Sequence, residues 1–305
     1  MKNKSIILMI LIVCIYFQSL AQQKTKSSFM VKDLKNYSFV PMGKVRIDSS
    51  TIYLPTNKVH KDTTSIQVQA FYISKYEVSN AEYKQFLDYL KQHNEVEKLK
   101  IAQIDTLKWH DKLSYNEPYV QYYHTHPAYA NYPVVNVSYE GAVLYCQWLS
   151  QMYNESHPNE KIKVDFRLPT RAEWIRAARG EDTYKEYTWG GPNLTNNKGI
   201  YLCNFRKIGE NRIHVNPTTG AFEVMNSFGL YDAADITAPV NSYYPNSLGI
   251  YNMCGNVAEM VTEKGIAVGG SWKDTGYDVR IESTKNYTEA SSSIGFRPVR
   301  TFIGK

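Results

Sequence analysis

Cysteine is scarce in this sequence: there are four in 305 residues, and none falls in a C-x-x-C pair or another zinc-ligand spacing. That excludes a zinc module and a disulfide-dense scaffold. A block of one charge sign is also missing. The formal net charge of +6 is spread along the chain, without the basic cluster that a nucleic-acid surface requires, so no nucleic-acid partner is expected. Past Phe17 there is no long apolar run, which leaves no second candidate for a membrane span. What is present suffices for a core, since 43% of the residues are hydrophobic.

The first residues, MKNKSIILMILIVCIYFQSLAQQ, combine a basic start, an apolar stretch from Ile6 to Phe17 and a small residue at Ala21. This is the pattern of a secretory signal cleaved after Ala21. A membrane anchor would need about 20 apolar residues, more than this run supplies. Lipidation at Cys14 is the competing reading, with Val13 standing where bacterial lipoprotein signals carry a small residue. Export implies an oxidising compartment. Cys146, Cys203 and Cys254 remain there, an odd number that cannot all pair within one chain. They are either buried inert thiols or one disulfide and one free thiol.

Residues 22–36 are polar and basic and read as a flexible lead-in; the domain proper spans 37–303. FVPMGKVRI and VQAFYISKYEV carry the β-branched and aromatic residues of strands. Ser79 with Glu82 forms a capping box, and Ala81, Phe86, Leu87 and Leu90 continue as a helical stripe. From His93 to Tyr132 the periodicity is lost, and SYNEPYVQYYHTHPAYANYP reads as a long aromatic loop. On a strand, His124 and His126 would share one face, but a metal site needs further converging ligands. PVVNV reads as a strand, followed by a helix capped by Ser138 with Ala142, Tyr145, Cys146, Leu149 and Tyr153 on its buried stripe. Thr170 and Glu173 make a second capping box, and Gly180 stops that helix. Beyond Gly180, glycine, asparagine, proline and tyrosine prevail and no long helix is expected.

The run RLPTRAEW resembles the formylglycine-generating-enzyme domain, also called the sulfatase-modifying-factor family. The resemblance continues in order through MG at 42–43, YEVSNAEYKQF at 76–86, YPVVNVSYEGAVLYCQWL at 132–149, YTWGG at 187–191, APVNSYYPNSLGIYNMCGNVAEM at 238–260, VGGSW at 268–272 and GFRPVR at 295–300. It implies a single irregular α+β domain, related to C-type lectins, with modest regular structure and bound calcium. It also implies two structural calcium sites. One would use Asn204, the Phe205 carbonyl, Asp232 and the Ala234 carbonyl. The other would use Asn252, the Gly255 and Val257 carbonyls and the Glu259 carboxylate, hard oxygen donors of the kind Ca²⁺ prefers.

Active members of the family convert a substrate cysteine to an aldehyde with copper held by two of their own cysteines, three and eight residues after the serine of the GGS element. Counted from Ser271, those places hold Asp274 and Val279. Neither can replace a thiolate on Cu(I), so copper is not expected and no catalytic residue is assigned. A second enzymatic branch adds a helical domain with a three-histidine iron site, for which this chain has no room. Ala258 and Met260 stand where the family commonly has tryptophans, which implies an altered pocket wall. The aromatic insertion, YTWGGPN and VGGSWKD resemble the gliding-motility lipoprotein K and J group of type IX secretion. The expected function is therefore that of an exported, non-catalytic binding or structural component of the bacterial envelope, with envelope protein partners. It would sit in the periplasm or on the periplasmic face of the outer membrane, associated with that membrane through partners or lipidation. The alternatives are an oxidoreductase making formylglycine by other active-site chemistry, and a carbohydrate binder.

Overall fold

The computed structural model describes residues 35–48, 63–110, 116–182, 184–207, 213–215, 219–220, 222–224 and 236–303. The signal at 1–21, Cys14, most of the lead-in, Asp232 and Ala234 lie outside them. Four strands make an antiparallel sheet in the order β1 (Tyr37–Val40), β4 (Phe71–Ser74), β12 (Val299–Ile303), β5 (Lys163–Arg167). A second, mixed sheet runs β10 (Thr284–Asn286), β9 (Ile266–Val268), β8 (Ala258–Met260), β11 (Ile294–Gly295). Two hairpins, β2 (Gly43–Asp48) with β3 (Thr63–Val68) and β6 (Ile213–Val215) with β7 (Phe222–Val224), complete the strands.

Side-chain alternation explains why the first sheet can separate two cores. On β4, Phe71 and Ile73 face one core while Tyr72 packs against the other. The first core lies under α1 (Asn80–Gln92), α2 (Val96–Ala102) and α4 (Tyr139–Ser156). The second lies under α5 (Arg171–Arg179), whose Trp174, Ile175, Ala177 and Ala178 are all fully buried. Both expected capping boxes are formed, Ser79 with Glu82 on α1 and Thr170 with Glu173 on α5. Ser138 caps α4, which buries Ala142, Tyr145, Cys146, Leu149 and Tyr153. Gly180 ends α5 at φ +66°, and a Cβ there would meet Ser247 Oγ at 2.5 Å.

The structure corrects two expectations. The segment 93–132 is not a loop throughout: it holds α2, α3 (Glu117–Tyr122) and two 3-10 turns, Thr106–Trp109 and Pro127–Tyr129. Each piece is too short to show a 3.6-residue repeat. Aromatic packing, not periodicity, holds them: Trp109 and Tyr123 have ring centroids 4.5 Å apart, and Tyr123 and Tyr129 5.4 Å. PVVNV is not a strand either. Pro133 makes one isolated bridge with Ser79, and Asn136 at φ +60° turns the chain out of extended geometry. Among the described residues no helix is long and apolar enough to cross a membrane.

Glu173 does two jobs at the start of α5. It accepts from the Thr170 backbone N–H at 2.8 Å and takes both Arg167 guanidinium nitrogens at 2.7 Å. Glu173→Ala is expected to cost roughly 1–3 kcal/mol in urea unfolding. Lys84→Ala, which breaks the exposed pair with Asp88, is expected to cost under about 0.5 kcal/mol.

Candidate functional site

Three groups of side chains meet behind and around the VGGSW turn. The turn itself leaves β9 through Gly269 and Gly270, at φ +84° and +67°. A Cβ on Gly269 would strike the Trp174 ring at 2.8 Å, and one on Gly270 would lie 2.4 Å from the Asp278 carbonyl oxygen. Only glycine lets the chain pass here. Ser271, fully buried, then donates through Oγ to Asp274 Oδ2 at 2.5 Å. Lys285 on β10 closes on the same carboxylate, its Nζ 3.0 Å from Oδ1. Val279 is completely buried in the second core. The two positions that the resemblance assigns to copper thiolates therefore hold an ion-paired carboxylate and a packed hydrocarbon.

The second group is an aromatic wall. Trp272 donates its indole N–H to the Ser292 carbonyl at 3.0 Å and stacks on Trp109 at 6.2 Å. Trp109 packs in turn on Tyr119 and Tyr123. His124 is fixed within this wall: Nδ1 lies 2.9 Å from Asn80 Oδ1, and Nε2 accepts from Trp109 Nε1 at 3.4 Å. The Asn80 amide nitrogen is spent on the Tyr123 and Tyr129 carbonyls, so Nδ1 carries the proton and the imidazole is neutral. Burial pushes its pKa down to about 3. His126 is exposed and accepts from the Ala128 N–H. The two histidines thus serve packing and capping, and among the described residues no three His, Cys, Asp or Glu side chains group as metal ligands.

The third group is a buried polar cluster. Arg297, 0% exposed, grips Glu259 with Nε and Nη2 at 2.7 and 2.6 Å. Its remaining donors reach the carbonyls of Ser74 and Lys75 at 3.2 Å and of Tyr251 at 2.8 Å. Trp174 adds a third bond to Glu259 at 2.7 Å. Beside them, Glu77 accepts from Asn256 at 2.8 Å and from Asn252 at 3.1 Å. Burial raises its pKa to about 7. Asn256 Oδ1 receives the Ala238 N–H at 2.7 Å and the Asn204 amide at 3.3 Å. Left-handed backbone at Asn252, Gly255 and Asn256, φ +54°, +78° and +64°, wraps this loop tightly.

The structure thus brings Asn204, Asn252, Gly255, Val257 and Glu259 into one neighbourhood with Phe205 beside them, while Asp232 and Ala234 lie outside the described residues. Sequence reasoning missed Glu77, Asn256 and Arg297. An acid flanked by apolar residues in KYEV and an arginine in GFRPV were the available signals.

Residues 22–302 match the model of the sulfatase-modifying factor enzyme 1-like domain. The chain belongs to that family. It is 36% identical to the formylglycine-generating enzyme of Thermomonospora curvata over 129 residues, covering 42% of this chain and 32% of that protein. Against the mouse enzyme it is 28% identical over 225 residues, covering 65% and 50% respectively. It thus spans between a third and a half of the length of these relatives. It is also 28% identical to the bovine inactive C-alpha-formylglycine-generating enzyme 2, over 54% of this chain and 49% of that one. PvdO from Pseudomonas aeruginosa shares the fold, with a TM-score of 0.52 at 19% identity over 87% of this chain and 93% of that one.

Two predictions follow from the buried charges. Arg297→Met leaves Glu259 unpaired and is expected to cost about 3–5 kcal/mol, whereas the double variant Glu259→Gln/Arg297→Met recovers much of that loss in chemical denaturation. For His124, the folded pKa lies below the unfolded value of about 6.5, so its contribution is full above pH 6.5 and falls as the pH drops toward 3. Glu77, raised to about 7, works in the opposite sense: its contribution is full below about pH 4.5 and fades as the pH rises through 7. The readout is therefore the difference between wild type and His124→Asn. Below pH 6.5 the wild type is expected to lose roughly 1.4 kcal/mol per pH unit more than the variant.

Proposed function

We propose that this chain is a non-catalytic member of its family, exported to the bacterial envelope, where it serves as a binding or structural component. The observation that carries the reading is the Ser271–Asp274–Lys285 arrangement with Val279 buried beside it. Cu(I) is held by soft thiolates, and neither an amine-paired carboxylate nor a valine supplies one. The described cysteines do not replace them, since Cys146, Cys203 and Cys254 are all buried and burial raises each thiol above its ordinary pKa. Support also comes from relatives: one is named an inactive enzyme, and another, from Paenibacillus barcinonensis, a chaperone, LppX, 26% identical over 68% of this chain and 67% of its own length. The resemblance of the aromatic segment to gliding-motility proteins supports a place in a gliding or type IX secretion assembly on the periplasmic side.

Calcium belongs to this reading as a structural ion. At the first locus the support is Asn204 Oδ1, which is buried and has no hydrogen-bond partner among the described residues. At the second, Glu259 does not fit, because Arg297 and Trp174 engage both its oxygens. The cluster nevertheless carries two carboxylates against one guanidinium. Burial disfavours ionised Glu77, beside Asn252, and a cation there would balance its charge.

Incubation of the copper-loaded protein with a cysteine peptide is expected to give no aldehyde by mass spectrometry, and a time-dependent aldehyde product would establish the enzymatic alternative instead. Mild extraction of envelopes is expected to retain a protein partner; a partner-free monomer would sink the envelope reading. Calcium at about 100 times its Kd is expected to stabilise the protein by roughly 2.7 kcal/mol per site relative to chelator, an effect reduced in Asn204→Ala.

A further inference from the structure

Two of the three described thiols share one core. Cys203 and Cys254 lie in the cluster beneath α5, with Tyr187, Phe205 and Met253, whereas Cys146 sits on α4 in the other. The segments that carry the pair are in backbone contact immediately after each cysteine. Asn256 N donates to the Asn204 carbonyl at 2.8 Å, and a Cβ on Gly255 would come within 2.3 Å of that same oxygen. Burial raises the pKa of the Cys203 thiol first, and Cys254 nearby raises it further. Disulfides join Cα atoms about 4.4–6.8 Å apart, a separation that segments in direct backbone hydrogen bonding reach.

We propose that Cys203 and Cys254 form a disulfide that clamps the Asn204 segment to the Asn252–Glu259 loop. Both thiols are free in the structure. In the reaction two S–H bonds break, one S–S bond forms, and two protons and two electrons pass to an external disulfide, such as that of a thiol oxidase or oxidised glutathione, which becomes two thiols. The folded state makes this slow. Burial pushes Cys254 up to about 12 and Cys203 well above the ordinary thiol range, and only thiolates exchange. The bond therefore closes during folding, while both sulfurs are still accessible. It closes a loop of about 50 residues, the kind of long loop for which cross-linking restricts the unfolded chain most.

This inference does not depend on the envelope reading and is tested apart from it. The full chain is expressed once into an oxidising periplasm and once in a reducing cytoplasm, then denatured in the presence of an alkylating reagent and digested without reductant. The expected result is a Cys203–Cys254 linked peptide with alkylated Cys146 in the periplasmic sample, and Cys146, Cys203 and Cys254 all alkylated in the cytoplasmic one. Reduction should lower the melting midpoint of the periplasmic protein by roughly 5–10 °C, and should not move that of Cys203→Ala. Alkylation of Cys203 and Cys254 in the periplasmic sample, or linkage of either to Cys146, would overturn the proposal.

Discussion

The bidentate pair between Glu259 and Arg297 is the constraint on which the rest of this fold rests. A buried ion pair is weak evidence for stability in itself, because desolvation offsets much of the Coulomb attraction. Its importance here is positional. Arg297 stands between β11 and β12 and satisfies carbonyls at the end of β4 and in the Tyr251 segment, while Glu259 on β8 accepts from Trp174 on α5. One charged pair therefore fastens both sheets to the helix of the second core. A domain with short strands and long irregular stretches must satisfy buried backbone groups by other means than ladders, and this side chain supplies three such bonds.

The same logic explains how the VGGSW turn keeps its shape with Asp274 and Val279 beside it. Gly269 packs on the Trp174 ring, which is held by Glu259, and Gly270 passes against the backbone at Asp278. The Gly269 contact does not involve position 274 or 279, whereas Gly270 also packs on Val279, whose Cγ1 lies 2.9 Å from where a Cβ would stand. Thiols at those positions are needed for a soft metal and not for the turn, so a Lys285–Asp274 pair and a buried valine can stand there without disturbing the scaffold. The rim is thereby separable from the cluster beneath it. Around it the half-buried Trp272 stacks on the fully buried Trp109, with Lys273 over the Trp272 ring.

Local signals in the sequence were read well where the physics is local. Both capping boxes, the Ser138 cap, the buried stripe of α4 and the stop at Gly180 depend on residues a few positions apart. The short helices between 96 and 129 were not legible, since pieces of three to seven residues carry no period. The PVVNV stretch misled because its β-branched residues are buried between elements without belonging to a ladder. Of the polar cluster, Asn204, Asn252 and Glu259 came from resemblance to a family pattern. Glu77 and Arg297 could not be paired with them from sequence, because their partners lie 175 and 38 positions away and burial of a charge leaves no local pattern.

Ala258 and Met260 show how an altered wall can be read too simply. Their departure from the family's tryptophans pointed to a changed pocket, yet both are fully buried in the first core, on β8. That core also holds Tyr83, Phe86, Tyr145, Trp148 and Phe296, whose rings meet edge-on, tilted or stacked at 5.5–6.2 Å. Close packing tolerates a small residue only where neighbours fill its volume. The aromatic density of α1 and α4 does so here, and β8 stays pressed against the first core while Glu259 between them points to Arg297 and Trp174. Smaller residues on either side of Glu259 thus belong to the way this chain packs its scaffold.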